Sequence, residues 1–215
     1  MQRQSLLVRE TPLDALCHHF NVHPTPYTTN EPLGPTFDMH VVRDAHMPTH
    51  VLAVTSPDQP ATPPLMLPID ATLFARGFPL ELNVPPAPPG STAPIPRYVG
   101  PTQMVNLPVI ELSVPHVSTL PLLLLYGMAL ETETNLLSWS LLPVNVVEEF
   151  PNAAAMSLVL SRHRDERFER VYNHNAGIWK NILAMGFNDP KILQLVQTAW
   201  NVTAEARRIR QRLRI

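Results

Sequence analysis

Apolar positions repeat at helical spacing along the last part of the chain. They mark one side of a predicted helix that Asp189 caps and in which Pro190 takes the first helical position. Most charged residues of this segment fall on the other sides, so the predicted helix is amphipathic. Its apolar positions are Ile192, Leu195, Val196, Ala199, Val202, Ala206, Ile209 and Leu213.

The residues before this helix also show helical patterns. A stripe that includes Phe168 and Trp179 predicts a helix over 165–185, which Gly186 closes. Residues 120–130 are apolar on every side, which indicates a buried helix at the centre of the core. Shorter helices are expected over 134–142, 144–150 and 152–162.

Strand patterns are confined to the first half of the chain. Two short runs, 37–43 and 50–55, are separated by a polar segment, which predicts a β-hairpin between them. Residues 63–67 are expected to add an edge strand. Residues 109–114 predict a further strand, which Pro115 ends.

Proline separates the two parts of the chain. Of the 25 prolines, 21 lie between Pro12 and Pro115, and because proline donates no backbone N–H, this part cannot consist of long helices or central strands. The pattern predicts an α+β fold, in which a small sheet with a hairpin and long proline-rich loops packs on a mainly helical C-terminal half. The predicted divisions are an arm over 1–35 with a short helix, an α+β core over 36–186 with a proline-rich insertion over 83–108, and a basic amphipathic helix over 187–215.

Charge follows the same division. Residues 161–215 hold 11 Lys and Arg against 5 Asp and Glu, whereas residues 1–160 hold 5 against 13. The single cysteine, Cys17, excludes an intrachain disulfide and favours a reducing compartment. The N-terminus has no secretory pattern, and no apolar run approaches the roughly 20 residues that span a bilayer. We expect an intracellular protein without a membrane partner, in the nucleus or the cytoplasm, with the nucleus preferred.

Few residues are arranged for catalysis or for cofactor binding. The seven glycines have no phosphate-loop or dinucleotide-binding spacing, and no nucleophile-elbow motif is present. His19 and His23 have the spacing of two metal ligands on a helix, but Pro24 follows directly and no second pair matches them. We therefore predict no enzyme, no cofactor, and no catalytic, cofactor-binding or metal-binding residues. Glu166 and Arg170 are expected to form an ion pair on an exposed helix face.

The strongest polar feature is an arginine cluster near the C-terminus. Three interpretations stay open: a solvated helix end, a docking or nuclear-import segment, and direct contact with nucleic acid. The acidic remainder of the chain disfavours nucleic acid, because its field repels phosphate. Trp179 and Trp200 lie on the last two predicted helices. Trp200 is either part of the core or an exposed anchor for a partner. The predicted partner-binding residues are Trp179, Trp200, Arg207, Arg208, Arg210, Arg212 and Arg214.

The order of the predicted elements carries a first resemblance. Residues 108–128 form a strand followed directly by an apolar helix that ends near Tyr126 and Gly127, and a hairpin and a short helix over 68–78 precede them. This order resembles the BTB/POZ fold, an α+β interaction module. The resemblance implies a domain that works by binding other proteins.

Four phrases carry a second resemblance, and together they cover roughly residues 105–212. They are 112–125, 148–156 (EEFPNAAAM), 175–181 (NAGIWKN) and 196–211. These phrases are similar to the clampless family of basidiomycete fungi. The resemblance implies a non-enzymatic regulator of sexual development that acts downstream of the mating-type homeodomain factors, in clamp-cell formation and dikaryon cell division, through protein partners.

We therefore expect a protein that binds regulatory proteins, and a homodimer is an open alternative. The second hypothesis is a transcription-associated protein that contacts nucleic acid through the C-terminal arginine helix. The third is an unrecognised hydrolase, which a pocket gathering a histidine, a carboxylate and a serine or cysteine would favour.

Overall fold

A computed structural model describes residues 5–28, 32–84 and 94–213. The fold is α+β, as predicted, with one small sheet and a helical C-terminal half. The strands are β1 (Thr36–His40), β2 (His50–Thr55), β3 (Leu65–Ile69), β4 (Arg97–Val99) and β5 (Thr102–Ser113). The helices are α1 (Pro12–His19), α2 (Ala71–Gly77), α3 (Leu120–Gly127), α4 (Thr134–Leu141), α5 (Val144–Val147), α6 (Ala153–Ser161), α7 (Asp165–Met185) and α8 (Pro190–Leu213), with short 3-10 turns at Leu6–Val8 and Val117–Thr119.

The predicted hairpin between the first two strands is wrong. The strand order is β1-β5-β2-β3, so β5 lies between β1 and β2 and pairs antiparallel with the first and parallel with the second. The physical reason is that β2 is buried from Val51 to Val54 on both faces, a pattern typical of strands with a parallel neighbour, and β5 supplies that neighbour. The hairpin that does form joins β2 to β3, which is an edge strand as predicted.

Strand β5 begins at Thr102 and not at residue 109 as predicted, because Pro108 does not interrupt it. Pro108 is the last residue of β5 paired with β1, and Val109 is the first paired with β2. A missing N–H disturbs a ladder least at such a change of partner. Strands β4 and β5 thus occupy much of the insertion predicted over 83–108, of which residues 85–93 lie outside the described part of the chain.

Helix α3 is the centre of the core, as predicted. Every residue from Leu120 to Tyr126 is buried, and the helix contacts α1, α2 and α7. Burying an aliphatic side chain contributes about 1.5–3 kcal/mol, so this all-apolar helix is stable only inside the protein.

The long helices α7 and α8 have the bounds that their patterns predict. Gly186, with φ of 67°, ends α7 in the left-handed region that favours glycine. Asp189 then caps α8, because its carboxylate accepts the N–H groups of Lys191 and Ile192. The two helices pack on each other, and α6 packs on α8.

Candidate functional site

Trp179 lies on α7 beside a groove that we call the Trp179 groove. The groove, of about 810 Å³, runs between the ends of α2 and α3 on one side and the α7–α8 connection on the other. Trp179 is half-buried in its wall, and Leu183, one turn further along α7, is 64% exposed. Two apolar side chains on one helix face are therefore open to solvent together.

Two glycines shape the groove, because they let α2 and α3 meet backbone to backbone. A Cβ on Gly77 would lie 1.8 Å from the carbonyl oxygen of Gly127, and a Cβ on Gly127 would lie 2.2 Å from the ring of Phe78. The Phe78 ring stacks on Phe74 with centroids 4.7 Å apart. The close approach of α2 and α3 is thus packed against the stacked rings of Phe74 and Phe78.

Trp200 has a different environment from Trp179. Its ring is tilted against Tyr172 of α7, with centroids 5.6 Å apart, and it is half-buried. The guanidinium of Arg207 lies over the same Tyr172 ring, 4.2 Å from the centroid. Trp200 and Arg207 therefore join α8 to α7 and do not line the Trp179 groove.

The C-terminal arginines that the structure describes differ in their environments. Arg210 points inward with a 13% exposed side chain, and it donates to the carbonyl oxygens of Ser161 and His163 at 2.7 Å each and to the carboxylate of Asp165. Arg208 pairs with Glu205 at 3.0 Å. Arg212 is exposed, and Arg214 lies outside the described residues. Arg207, Arg208 and Arg210 are thus engaged by their own chain.

A second arginine group lies where α6 meets α7, and none of its members is among the predicted partner-binding residues. Arg162, Arg164, Arg167 and Arg170 surround a depression of about 620 Å³, together with His163, Asn145 and Glu166. We call the four arginines the arginine corner. The expected ion pair between Glu166 and Arg170 is not among the ion pairs of the described residues. The signal that could have found the corner is four arginines within nine residues.

Buried polar groups tie α7 to the rest of the fold. Asn181 is fully buried; its oxygen accepts the N–H of His116, and its amide donates to the His116 carbonyl and the Thr119 hydroxyl. Asn175, also fully buried, donates to the carbonyl of Leu141 and the hydroxyl of Thr203. These amides hydrogen-bond to groups on α4, on α8 and on the 3-10 turn before α3, and their role is structural.

Two histidines pack beside this network. A Cβ on Gly177 would lie 2.4 Å from the ring of His116, so α7 needs glycine there to receive that ring. Burial, and after it the charge of His116, lowers the pKa of His174 to about 4. Burial, and after it the charge of Lys180, also lowers the pKa of His116. Both rings are therefore neutral at physiological pH.

A third depression, of about 840 Å³, gathers residue types that a hydrolase would use. It is lined by Ser5, His18, His19 and Glu131, among others. The carboxylate of Glu131 contacts His19 Nε2 at 3.3 Å and accepts the N–H of Leu6. The hydroxyl of Ser5 accepts the N–H of Leu7, and within the described residues it makes no hydrogen bond to a histidine. Glu131 thus anchors the N-terminal segment, and no nucleophile–base pair is formed here.

Of the two histidines considered as metal ligands, His19 contacts the carboxylate of Glu131. Cys17 is buried in α1, and burial, with the charge of Asp14, raises the pKa of its thiol to about 12. His23 is exposed. Within the described ranges, no group of three or more His, Cys, Asp or Glu side chains could hold a metal ion.

None of the helices over the described residues has both the length and the apolar surface needed to cross a bilayer. Comparison with known families, with curated proteins and with solved structures found no match in any of the three.

Proposed function

We propose that this chain is a non-enzymatic regulator of fungal sexual development that binds other proteins through the Trp179 groove. The observation that carries the proposal is the pair of Trp179 and Leu183. They lie on one helix face and line an open groove. Aromatic side chains with apolar neighbours are the usual anchors of protein interfaces. The proposal places the chain inside the cell, in the nucleus or the cytoplasm.

The charges at the groove indicate the kind of segment that fits it. Arg76 and Asp189 line it beside the apolar residues. A partner helix with an apolar face and charges of both signs at its borders would bury Leu183 and pair with these groups. The groove therefore suits an amphipathic segment of a regulatory protein.

The order of the elements is a second line of support. The hairpin of β2 and β3 is followed by α2, by β5 parallel to β2, and by the buried helix α3. The resemblance to the BTB/POZ interaction module rests on a similar order, although its hairpin is predicted between residues 37–43 and 50–55 and the structure forms it between β2 and β3. The phrases similar to the clampless family supply the biological process in the proposal.

The test compares two exposed leucines in living cells. In a clamp-forming basidiomycete whose own copy of the gene is deleted, the wild-type chain should restore clamp cells, and Leu183→Glu should not. Leu213→Glu is the matched control, since Leu213 is 77% exposed on α8 and outside the groove. Circular dichroism and thermal unfolding of the purified variants should match the wild type, because both positions face solvent.

Two results would contradict the proposal. If the deletion strain formed normal clamp cells, the proposed role in sexual development would be wrong. If Leu183→Glu restored clamp cells fully, the groove would not be the binding surface.

The C-terminal arginines give less support to the nucleic-acid alternative. Arg207, Arg208 and Arg210 contact Tyr172, Glu205 and the α6–α7 connection respectively. A cation held by its own chain must first lose those contacts before it can neutralise a phosphate. For this reason we place protein binding first.

A further inference from the structure

The arginine corner concentrates positive charge on a small exposed surface. Arg162, Arg164, Arg167 and Arg170 are all exposed and line one depression. Throughout residues 5–28, 32–84 and 94–213, no carboxylate lies within ion-pair distance of any of the four. Guanidinium groups gathered without a counter-ion favour an anionic ligand.

These charges are not placed where they would stabilise the fold. They surround the start of α7, where the helix dipole is positive and cations are unfavourable. They also repel one another. Asp165 and Glu166 lie in the first turn of α7, and among the described residues Glu166 alone of the carboxylates lines the depression. Positions that cost stability without an internal compensation are typical of binding sites.

The corner is held in shape from inside. Arg210 binds the carbonyl groups of Ser161 and His163 and the carboxylate of Asp165, which bracket Arg162 and Arg164. Its guanidinium also lies over the ring of Phe168, 4.5 Å from the centroid. The backbone that presents the outer arginines is therefore fixed before any ligand arrives, and this lowers the entropy cost of binding.

His163 contributes a hydrogen-bond donor to the corner and no further charge. The amide of Asn145 donates to His163 Nε2 at 3.2 Å, which places the ring proton on Nδ1. Burial, with the charges of Arg167 and Arg210, lowers its pKa. Cationic recognition at the corner thus depends on the arginines.

We propose that the arginine corner binds the phosphate group of a phosphorylated serine or threonine in a partner protein. A phosphate monoester carries close to two negative charges and offers three acceptor oxygens, which arginine can contact in pairs. Glu166 lines the depression, and Glu169 lies on the same helix turns. A long polyanion would have to pass these carboxylates, whereas a single phosphate group needs to contact only the arginines. The proposal does not depend on the Trp179 groove.

The experiment measures binding of labelled peptide pools to the full chain by fluorescence anisotropy. One pool has a central phosphoserine between degenerate flanks, the second has serine at that position, and a single-stranded DNA oligonucleotide is the third probe. We expect the phosphorylated pool alone to bind, and inorganic phosphate to displace it. Arg164→Gln combined with Arg167→Gln should weaken binding at least about tenfold, since each arginine supplies charge-assisted hydrogen bonds.

Two matched variants keep the interpretation specific. Arg208→Gln with Arg212→Gln removes the same charge from α8 and should leave binding within about twofold of the wild type. Arg164→Lys with Arg167→Lys keeps the charge but loses paired contacts, so its affinity should fall between the wild type and the glutamine variant. Thermal unfolding of each variant confirms that it is folded.

Three results would overturn the proposal. They are equal binding of the two peptide pools, an equal loss in the α8 control, and tighter binding of the oligonucleotide than of the phosphorylated pool. Because Leu183→Glu leaves the corner intact, it should bind the phosphorylated pool like the wild type, which separates this proposal from the proposed function.

Discussion

The polar residues of the two long helices and of the α6–α7 connection divide into an inner and an outer set. The inner set (His174, Asn175, Asn181 and Arg210) faces neighbouring elements, and Asn175, Asn181 and Arg210 hydrogen-bond to backbone groups there. The outer set is the arginine corner, which faces solvent and has no carboxylate partner within the described ranges.

The difference teaches that local charge density does not reveal which cations are available. The C-terminal segment has five arginines in eight residues, yet Arg210 is held by backbone carbonyls, and Arg207 and Arg208 contact Tyr172 and Glu205. All four arginines of the less dense group at the α6–α7 connection are exposed, and none has a carboxylate partner within the described ranges. Stability should therefore depend on the inner set, and ligand binding on the outer set.

The largest effect in this comparison is expected for Asn181→Leu. The change removes three hydrogen bonds and leaves the N–H of His116 without its acceptor, whereas the His116 carbonyl and the Thr119 hydroxyl keep only their bond to each other. We expect a loss of about 4 kcal/mol in the free energy of unfolding. Urea unfolding followed by circular dichroism measures it.

Asn173→Leu is the control for this variant. Asn173 is exposed on the same helix, so the change should cost less than about 0.5 kcal/mol. Equal losses in the two variants would show that the inner amide has no special role.

The second effect is expected for Arg210→Ala, at about 3 kcal/mol. The change leaves two backbone carbonyls without a donor and removes the contact with the Phe168 ring. Arg208→Ala should cost less than about 1 kcal/mol, because its ion pair with Glu205 is exposed. Similar midpoints of urea unfolding for the two variants would contradict the division into sets.

The third effect is a dependence of stability on pH. The pKa of His174 is lowered in the folded state to about 4, whereas the unfolded chain binds a proton near pH 6.5. The contribution of His174 to the free energy of unfolding is therefore complete above about pH 6.5 and is lost as the pH falls from there toward 4. The free energy of unfolding should fall by about 2 kcal/mol between pH 7 and pH 5.

His174→Phe should reduce this pH dependence, since it removes the titrating ring. His23→Phe should leave the dependence as it is in the wild type, because His23 is exposed. Urea unfolding at a series of pH values tests both variants. A His174→Phe slope equal to that of the wild type would show that the ring titrates normally in the folded protein.

The helices could be predicted because their signals are local. The bounds of α7 and α8 follow from an amphipathic stripe, from Gly186 at the end of one and from Asp189 at the start of the other. The buried helix α3 follows from a run with no polar side. In each case the residues that determine the element lie within it or next to it.

The sheet and the binding surfaces could not be predicted in the same way. The insertion of β5 between β1 and β2 joins residues more than fifty positions apart, and a local pattern favours the adjacent pairing. The Arg210 side chain points inward because it donates to carbonyl groups of the α6–α7 connection. The groove depends on a close approach of Gly77 to Gly127. For each of these contacts, the residues next to it in the sequence show no pattern that predicts it.

The most direct test removes the whole outer set at once and measures the free energy of unfolding. In the variant Arg162→Gln, Arg164→Gln, Arg167→Gln, Arg170→Gln, the loss of mutual repulsion at the positive end of α7 should leave stability within about 0.5 kcal/mol of the wild type or raise it. A loss as large as that of Arg210→Ala would show that the corner holds the fold together, and would contradict its assignment as a binding surface.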